Sequence, residues 1–263
     1  MNAKEYINYL SSVEEYSFSL EEILQNTNGV GTSLKFELHR LAEKGQIFNL
    51  RKGFYLILPP KYSAIGKLPV QLYAEKLFGF LNRRYYLGLY SAARIHGASH
   101  QQPHRDYLLI ETPKLNGIKK ENFDLQFLTT SFWPEKGIRD KRSEAGIYRI
   151  SSPALTFVDL VHHHTRIGGL NRMLATLEEL MEEITAGDIL ELLSWYTYKS
   201  TLQRVGFLMD ELSGGEGFAD LVYKQIGMQP YYPVLLSPRM NQKPGRSNNR
   251  WKIDANINLE NDL

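Results

Sequence analysis

The sequence predicts an α+β protein: an N-terminal winged helix-turn-helix, then a larger mixed domain with a small sheet and a mainly helical C-terminal half. Three helical patterns precede two β-prone runs in the first sixty residues, which is the element order of a winged helix-turn-helix. Scattered strand patterns follow, and helical periodicity dominates from Pro153 onward. A stretch rich in Pro, Lys, Ser and Gly at 59–68 predicts a linker, so we expect domains at 1–60 and 61–263.

The three N-terminal helices are predicted from spacing and capping signals. Ala3, Ile7 and Leu10 recur at helical spacing and predict a first helix. Ser19 and Glu22 form a capping box that opens a second helix. Asn28-Gly29-Val30-Gly31 ends that helix, because glycine permits a tight turn. A third helix is predicted over Thr32–Lys44, with Gly45 at the position of a C-terminal cap.

A β-hairpin follows the third helix. The runs Gln46–Leu50 and Phe54–Leu58 are rich in β-forming residues and are joined by Arg51-Lys52-Gly53. Pro59-Pro60 ends the second run, because proline cannot donate to a strand ladder. The remaining chain predicts helices at 71–82, 91–98, 153–164, 169–183, 186–198, 201–212 and 217–226, and strands at 85–89, 106–111, 123–129, 146–150 and 251–258.

Composition and charge exclude some classes of protein without naming a function. The chain has 263 residues, 43% of them hydrophobic, and a net charge of +2, all within the range of ordinary globular proteins. Because cysteine is absent, disulfides, thiolate metal sites and cysteine catalysis are excluded. The N-terminus lacks the apolar core of a signal peptide, and no apolar run has the length of a membrane span. We therefore expect a cytoplasmic protein with no membrane partner.

The third helix has the residue pattern of a DNA-reading helix. On a helical wheel Leu34, Leu38 and Leu41 form one stripe, and Phe36 lies nearly opposite them among cationic and hydroxyl side chains. Between Lys35 and Lys52 there are five Lys or Arg residues and two acids. An ordinary solvated helix and turn would explain the charges alone, but not the outward phenylalanine. The predicted DNA-binding residues are Thr32, Ser33, Lys35, Phe36, His39, Arg40, Arg51 and Lys52.

Other polar motifs do not predict catalysis, a cofactor or a metal site. His162-His163-His164 would lie in a helix, where successive side chains point about 100° apart and cannot converge on one ion. Arg94 and His96, with His100 and His104 nearby, have no nucleophile or acid in a recognisable catalytic context. We expect no enzyme activity from these residues.

A polar loop near the C-terminus carries a second group of basic residues and no acid. Such loops are usually solvated surface, but this one is also a candidate surface for nucleic acid or for an acidic partner. Its cations are Arg239, Lys243, Arg246, Arg250 and Lys252.

Several segments, in the same order along nearly the whole chain, resemble the AbiEi family of abortive-infection antitoxins. They are GQIFNLRKGFYLIL at 45–58, YYLGLYSAARIHGASHQQP at 85–103, YRISSPALTFVDLVHHHTRIGG at 148–169, TLQRVGFLMDEL at 201–212 and WKIDANINLENDL at 251–263. The basic loop at 238–250 departs from this resemblance.

The resemblance implies a type IV toxin–antitoxin system involved in phage defence. In such systems the antitoxin represses its own operon by binding operator DNA, and its C-terminal domain counteracts a nucleotidyltransferase-like toxin. Two alternatives remain open from the residues alone. One is a winged-helix transcription factor with a small-molecule sensor domain. The other is an enzyme acting on nucleic acid, for which Glu111 and Asp124 would be the candidate acids.

Overall fold

A computed structural model describes residues 1–29, 31–98 and 105–260. The fold is α+β, as predicted, and its largest sheet contains both parallel and antiparallel strand pairs. The chain divides into two compact units. The first unit comprises Met1–Tyr86, His104–Ser131 and Asp140–Arg149, and the second comprises Leu87–Pro103, Phe132–Arg139 and Ile150–Leu263.

The first unit begins with helices and a sheet of strand order β1-β3-β2. The bounds are α1 (Ala3–Ser12), β1 (Ser17–Ser19), α2 (Leu20–Asn26), α3 (Gly31–Glu43), β2 (Ile47–Arg51) and β3 (Phe54–Ile57). The predicted order of three helices and a hairpin is confirmed. Gly45 follows α3 with φ of +66°, as its predicted capping role requires. Strand β1 was not expected, because three residues are too few for a detectable alternation. Val30, in the predicted turn before α3, lies outside the described residues.

Local hydrogen bonds fix the starts of α1 and α2. The Asn2 side chain accepts a hydrogen bond from the N–H of Glu5 at 2.8 Å. Ser19 Oγ accepts one from the N–H of Glu22 at 3.0 Å. In both pairs the glutamate carboxylate also accepts from the backbone N–H of the capping residue. Each pair is therefore a capping box, and the Ser19–Glu22 box confirms the prediction.

Past residue 58, short helices and strands alternate before a run of helices. The bounds are α4 (Pro60–Ser63), α5 (Ala74–Phe80), β4 (Tyr85–Leu87), α6 (Leu89–Ile95), β5 (Asp106–Glu111), β6 (Ile118–Lys120), β7 (Phe123–Thr130), β8 (Ile138–Ser143), β9 (Gly146–Ser151), α7 (Pro153–His163), α8 (Leu174–Glu183), α9 (Ala186–Leu193), α10 (Lys199–Glu211), α11 (Glu216–Gly227), β10 (Val234–Leu235) and β11 (Ile253–Asp254). The mainly helical C-terminal half is confirmed.

The largest sheet has the strand order β6-β7-β5-β4-β9-β8. Strands β5 and β7 are parallel, with Asp106 opposite Leu125 and Glu111 opposite Thr130, whereas β6 and β7 are antiparallel. Strand β8 was not predicted because most of its side chains are exposed, so its sequence lacks the apolar alternation of a half-buried strand.

Several predicted elements differ from the structure. The predicted linker contains the short helix α4, which begins at Pro60, a residue well suited to the first helical turn. The predicted helix 71–82 is divided into a 3₁₀ turn at Val70–Leu72 and α5. The predicted strand at 251–258 shortens to β11, which pairs in parallel with β10. Among the helices of the described residues, none combines the length and apolar composition that crossing a membrane requires.

Candidate nucleic-acid interface

Helix α3 has a buried face and an exposed face, as the sequence predicts. Leu34, Leu38 and Leu41 are 1%, 2% and 6% exposed and belong to the apolar core of the N-terminal elements. Phe36 is 69% exposed. The remaining predicted contact residues on this helix, Thr32, Ser33, Lys35, His39 and Arg40, are also exposed. The predicted inward and outward faces of α3 are therefore confirmed.

The cations of α3 and the β2–β3 hairpin have no acid partner in the part of the chain that the structure describes. None of them forms an ion pair or a side-chain hydrogen bond with any residue in 1–29, 31–98 or 105–260. Four are exposed, and Arg51 is partly buried. We call this set the unpaired cations: Lys35, Arg40, Lys44, Arg51 and Lys52.

Many cations elsewhere in the first unit have an acid partner. Lys67 Nζ, for example, lies 3.0 Å from a carboxylate oxygen of Asp106, which is almost fully buried. Other ion pairs of the first unit include Lys61–Glu144, Lys76–Glu15, Arg84–Glu111, Arg105–Asp124 and Arg149–Glu75. The unpaired cations therefore give α3 and the hairpin a group of positive charges that have no acid partner among the described residues.

Both acids of α3 have partners inside the N-terminal elements. Glu37 Oε1 accepts a hydrogen bond from the backbone N–H of Lys4 at 3.3 Å. Glu43 Oε1 lies 3.4 Å from His39 Nδ1, one helical turn earlier. The two carboxylates of α3 therefore contact groups within the N-terminal elements. These contacts also make His39 less available for DNA than the other predicted contact residues.

Aromatic contacts hold the β2–β3 hairpin in place within the first unit. The ring of Phe48 stacks on that of Phe123, with centroids 4.6 Å apart. The ring of Phe54 lies 5.3 Å from that of Phe80. Lys120 Nζ donates a hydrogen bond to the backbone oxygen of Asn49 at 2.6 Å. The hairpin is consequently braced by α5, β6 and β7, which fixes the position of its basic tip.

In the second basic group, predicted in the C-terminal loop, two of the five cations form hydrogen bonds within the protein and the other three are exposed. Arg250 donates to Asp210 at 2.8 Å and to Asp220 at 2.6 Å. These hydrogen bonds raise the pKa of Arg250 and lower that of Asp210. Lys252 Nζ donates to the backbone oxygen of Tyr231 at 3.0 Å. Arg239, Lys243 and Arg246 are exposed.

The three consecutive histidines do not assemble a metal site. His162 Nδ1 lies 3.0 Å from Thr201 Oγ1 and 3.2 Å from the Tyr196 hydroxyl, whereas His164 Nδ1 lies 2.7 Å from the Val161 backbone oxygen. Burial lowers the pKa of His163 to about 3. Within the described part of the chain, no group of three or more His, Cys, Asp or Glu residues has metal-binding geometry.

In the polar group around Arg94 and His96, the histidine His96 contacts the protein backbone. His96 Nε2 lies 2.7 Å from the backbone oxygen of Ser151. The Ser151 hydroxyl lies 2.7 Å from Thr156 Oγ1, and both side chains are fully buried. His100 and His104 lie outside the described residues. Sequence reasoning missed the Ser151–Thr156 pair because buried hydroxyl pairs have no characteristic sequence pattern.

The two acids considered for a nuclease lie apart. Glu111 and Asp124 occupy opposite ends of the adjacent strands β5 and β7, roughly six residues or 20 Å apart at the usual rise per residue. Each acid is paired with an arginine. Although burial opposes it, hydrogen bonds from Arg105 and Gln126 lower the pKa of Asp124. These acids cannot hold one metal ion together.

Comparison with known families identifies part of the chain. Residues 86–211 match the family model of the AbiEi antitoxin C-terminal domain. This region is therefore similar to the C-terminal domain of AbiEi antitoxins. The matched region begins within β4 and extends to the last residue of α10, Glu211.

The fold of the chain is also similar to a solved structure. The crystal structure of the RV2827C protein from Mycobacterium tuberculosis has a TM-score of 0.67 to this chain. The similarity covers 95% of this chain and 90% of that chain, at 15% sequence identity, so it concerns the fold alone. A search of curated protein sequences found no match to this chain.

Proposed function

We propose that residues 1–60 form a winged helix-turn-helix that binds operator DNA, with α3 in the major groove and the β2–β3 turn as the wing. The observation that carries the proposal is the unpaired cations beside the exposed Phe36. DNA phosphates would supply the negative charge that the described part of the protein does not provide. Releasing the counterions of those phosphates would supply much of the binding free energy.

Each predicted contact residue has a chemical role in this proposal. The hydroxyls of Thr32 and Ser33, at the start of α3, donate hydrogen bonds to phosphate oxygens. Lys35 and Arg40 bind phosphates or base edges in the major groove, and Phe36 contacts a thymine methyl group. The wing residues Arg51 and Lys52 bind the neighbouring phosphate backbone, while His39 contributes less because of its contact with Glu43.

For the rest of the chain we propose an antitoxin role, with residues 61–263 as the antitoxin domain. The family match over residues 86–211 supports this role. The chain would repress its own operon and counteract a nucleotidyltransferase-like toxin encoded beside it. Both partners of such a protein, the operator and the toxin, would meet it in the cytoplasm.

Two readouts in the same cells test this division of functions. One is a reporter driven by the protein's own promoter, and the other is growth during induction of the neighbouring toxin gene. Full-length Lys35→Ala/Arg40→Ala should lose repression and keep rescue, because both side chains are exposed on α3. The control Lys61→Ala, which changes an exposed cation paired with Glu144, should keep both activities. Repression by the double variant at the wild-type level would contradict the DNA-binding proposal.

Rescue is the readout for the antitoxin proposal. If the wild-type chain did not restore growth with the neighbouring toxin, the antitoxin role would be wrong whatever the reporter showed. Point variants are preferable to truncation here. Removing the first sixty residues would expose Phe80 and Phe123, which the hairpin covers, and would perturb the rest of the first unit.

A further inference from the structure

The turn after α5 lies against the tip of the β2–β3 hairpin. A Cβ atom built on Gly53, at the hairpin tip, would lie 3.5 Å from Cζ of Phe80. The Phe80 ring also contacts Phe54, yet it remains 42% exposed. The chain then reverses through Asn82, whose φ is +50°, and the N–H of Arg83 bonds to the oxygen of Phe78 at 3.0 Å. Residues 80–83 therefore form a tight turn that begins in contact with the hairpin tip.

Two consecutive arginines, Arg83 and Arg84, end and follow this turn, and they have different partners. Arg84 Nη1 lies 3.3 Å from Glu111 Oε2. Arg83 makes only one polar side-chain contact with the described residues, a 3.5 Å hydrogen bond to the backbone oxygen of Asn82. No acid in the described ranges neutralises Arg83. Arg83 therefore resembles the unpaired cations of α3 and the hairpin in having no acid partner among the described residues.

We propose that Arg83 binds a DNA phosphate, so that the turn 80–83 extends the phosphate-binding surface of Arg51 and Lys52. This inference rests on the proposed DNA binding and adds a contact from outside residues 1–60. Two chain segments meet where Phe80 packs on Gly53. The hairpin brings Arg51 and Lys52 and the turn brings Arg83, and none of these has an acid partner among the described residues. Phe80 is a positioning residue, because its ring fixes the turn against the hairpin. A phosphate contact of this kind adds affinity without adding sequence preference.

The salt dependence of binding by the full-length protein tests this contact. The probes are a short duplex from the DNA upstream of the protein's own gene and a scrambled duplex of the same length and composition. Arg83→Ala should make the slope of log affinity against log salt shallower by about 0.9 on both duplexes. Between about 50 and 200 mM salt, wild-type affinity should then fall about 3.5 times further than that of the variant.

Matched variants separate a phosphate contact from an effect on folding. Arg83→Lys should keep the wild-type slope because it keeps the charge, and Arg84→Ala should keep it because that arginine is paired with Glu111. An unchanged slope for Arg83→Ala, or an equal change for Arg84→Ala, would overturn the inference and leave the proposed function standing. If the wild-type chain bound neither duplex, the proposed function would fail, and this contact with it.

Discussion

Gly206, in the middle of α10, lies directly against the indole ring of Trp251. A Cβ atom built on Gly206 would overlap atoms of that ring, and Trp251 is only 1% exposed. The indole Nε1 donates to Asp210 at 2.6 Å, and Gln203 Nε2 donates to the backbone oxygen of Trp251 at 2.7 Å. Helix α10 therefore holds the closing segment of the chain through packing at one residue and hydrogen bonds at two others.

Gly206→Ala should destabilise the protein by about 1–3 kcal/mol, because the added methyl group has no space beside the indole. Gly227→Ala is the matched control. Gly227 also lies in a helix, α11, but its Cβ would meet nothing within 4 Å, so the free energy of unfolding should stay the same or rise by up to about 1 kcal/mol. Urea unfolding measures both variants. Equal stability of the two would contradict the described packing.

Arg250→Ala should cost about 1 kcal/mol of stability, since it removes the arginine that Asp210 and Asp220 share at a partly exposed site. Arg246→Ala, in the same loop but exposed and without a partner among the described residues, should change stability by less than about 0.5 kcal/mol. Thermal unfolding of the two variants distinguishes them. A larger loss for Arg246→Ala would mean that the loop is anchored differently.

His163 should make the protein less stable in mild acid. Burial lowers its folded-state pKa to about 3, whereas the unfolded chain takes up a proton near the ordinary value of 6.5. Below pH 6.5 the unfolded state therefore binds more protons, and stability falls until the pH reaches about 3. Between pH 7 and 5 the loss from this residue should be about 2 kcal/mol.

His163→Asn tests that assignment, because asparagine does not titrate. The His163→Asn variant should lose less unfolding free energy between pH 7 and 5 than the wild type loses, whatever the stability of the variant at pH 7. Urea unfolding at each pH measures this. His39→Asn is the control, since the His39 side chain is 73% exposed and contacts Glu43 at the surface of α3. Identical pH dependence of His163→Asn and the wild type would show that other groups cause the acid sensitivity.

Phe36→Ala should leave folding intact and reduce sequence discrimination. The side chain is 69% exposed, so stability should change by less than about 0.5 kcal/mol. Loss of a thymine contact should reduce the preference for the protein's own upstream duplex over a scrambled duplex by about 1 kcal/mol, or roughly fivefold. Leu38→Ala, on the buried face, should instead cost about 2–5 kcal/mol of stability. An unchanged preference in Phe36→Ala would assign base reading to other residues.

Local patterns in the sequence were sufficient for the helices and for the two faces of α3. The leucine spacing at 34, 38 and 41 determines which side is buried, because helical geometry relates residues three and four apart. Ion pairing was not predictable in this way. Arg250 contacts Asp210 and Asp220, which are 40 and 30 residues away in the chain, so no local pattern distinguishes it from Arg246. The contact between Gly53 and Phe80 is also non-local, and for that reason Arg83 was not among the predicted site residues.

The most direct test of the central claim is the salt dependence of binding to the upstream duplex by Lys35→Ala, Arg40→Ala and Arg51→Ala. Each cation is unpaired among the described residues, so each substitution should weaken binding and make the slope of log affinity against log salt shallower by about 0.9. Lys61→Ala, whose cation is paired with Glu144, should keep the wild-type slope. Wild-type slopes for all three variants would contradict the account, because α3 and the hairpin would then not be the surface that meets DNA.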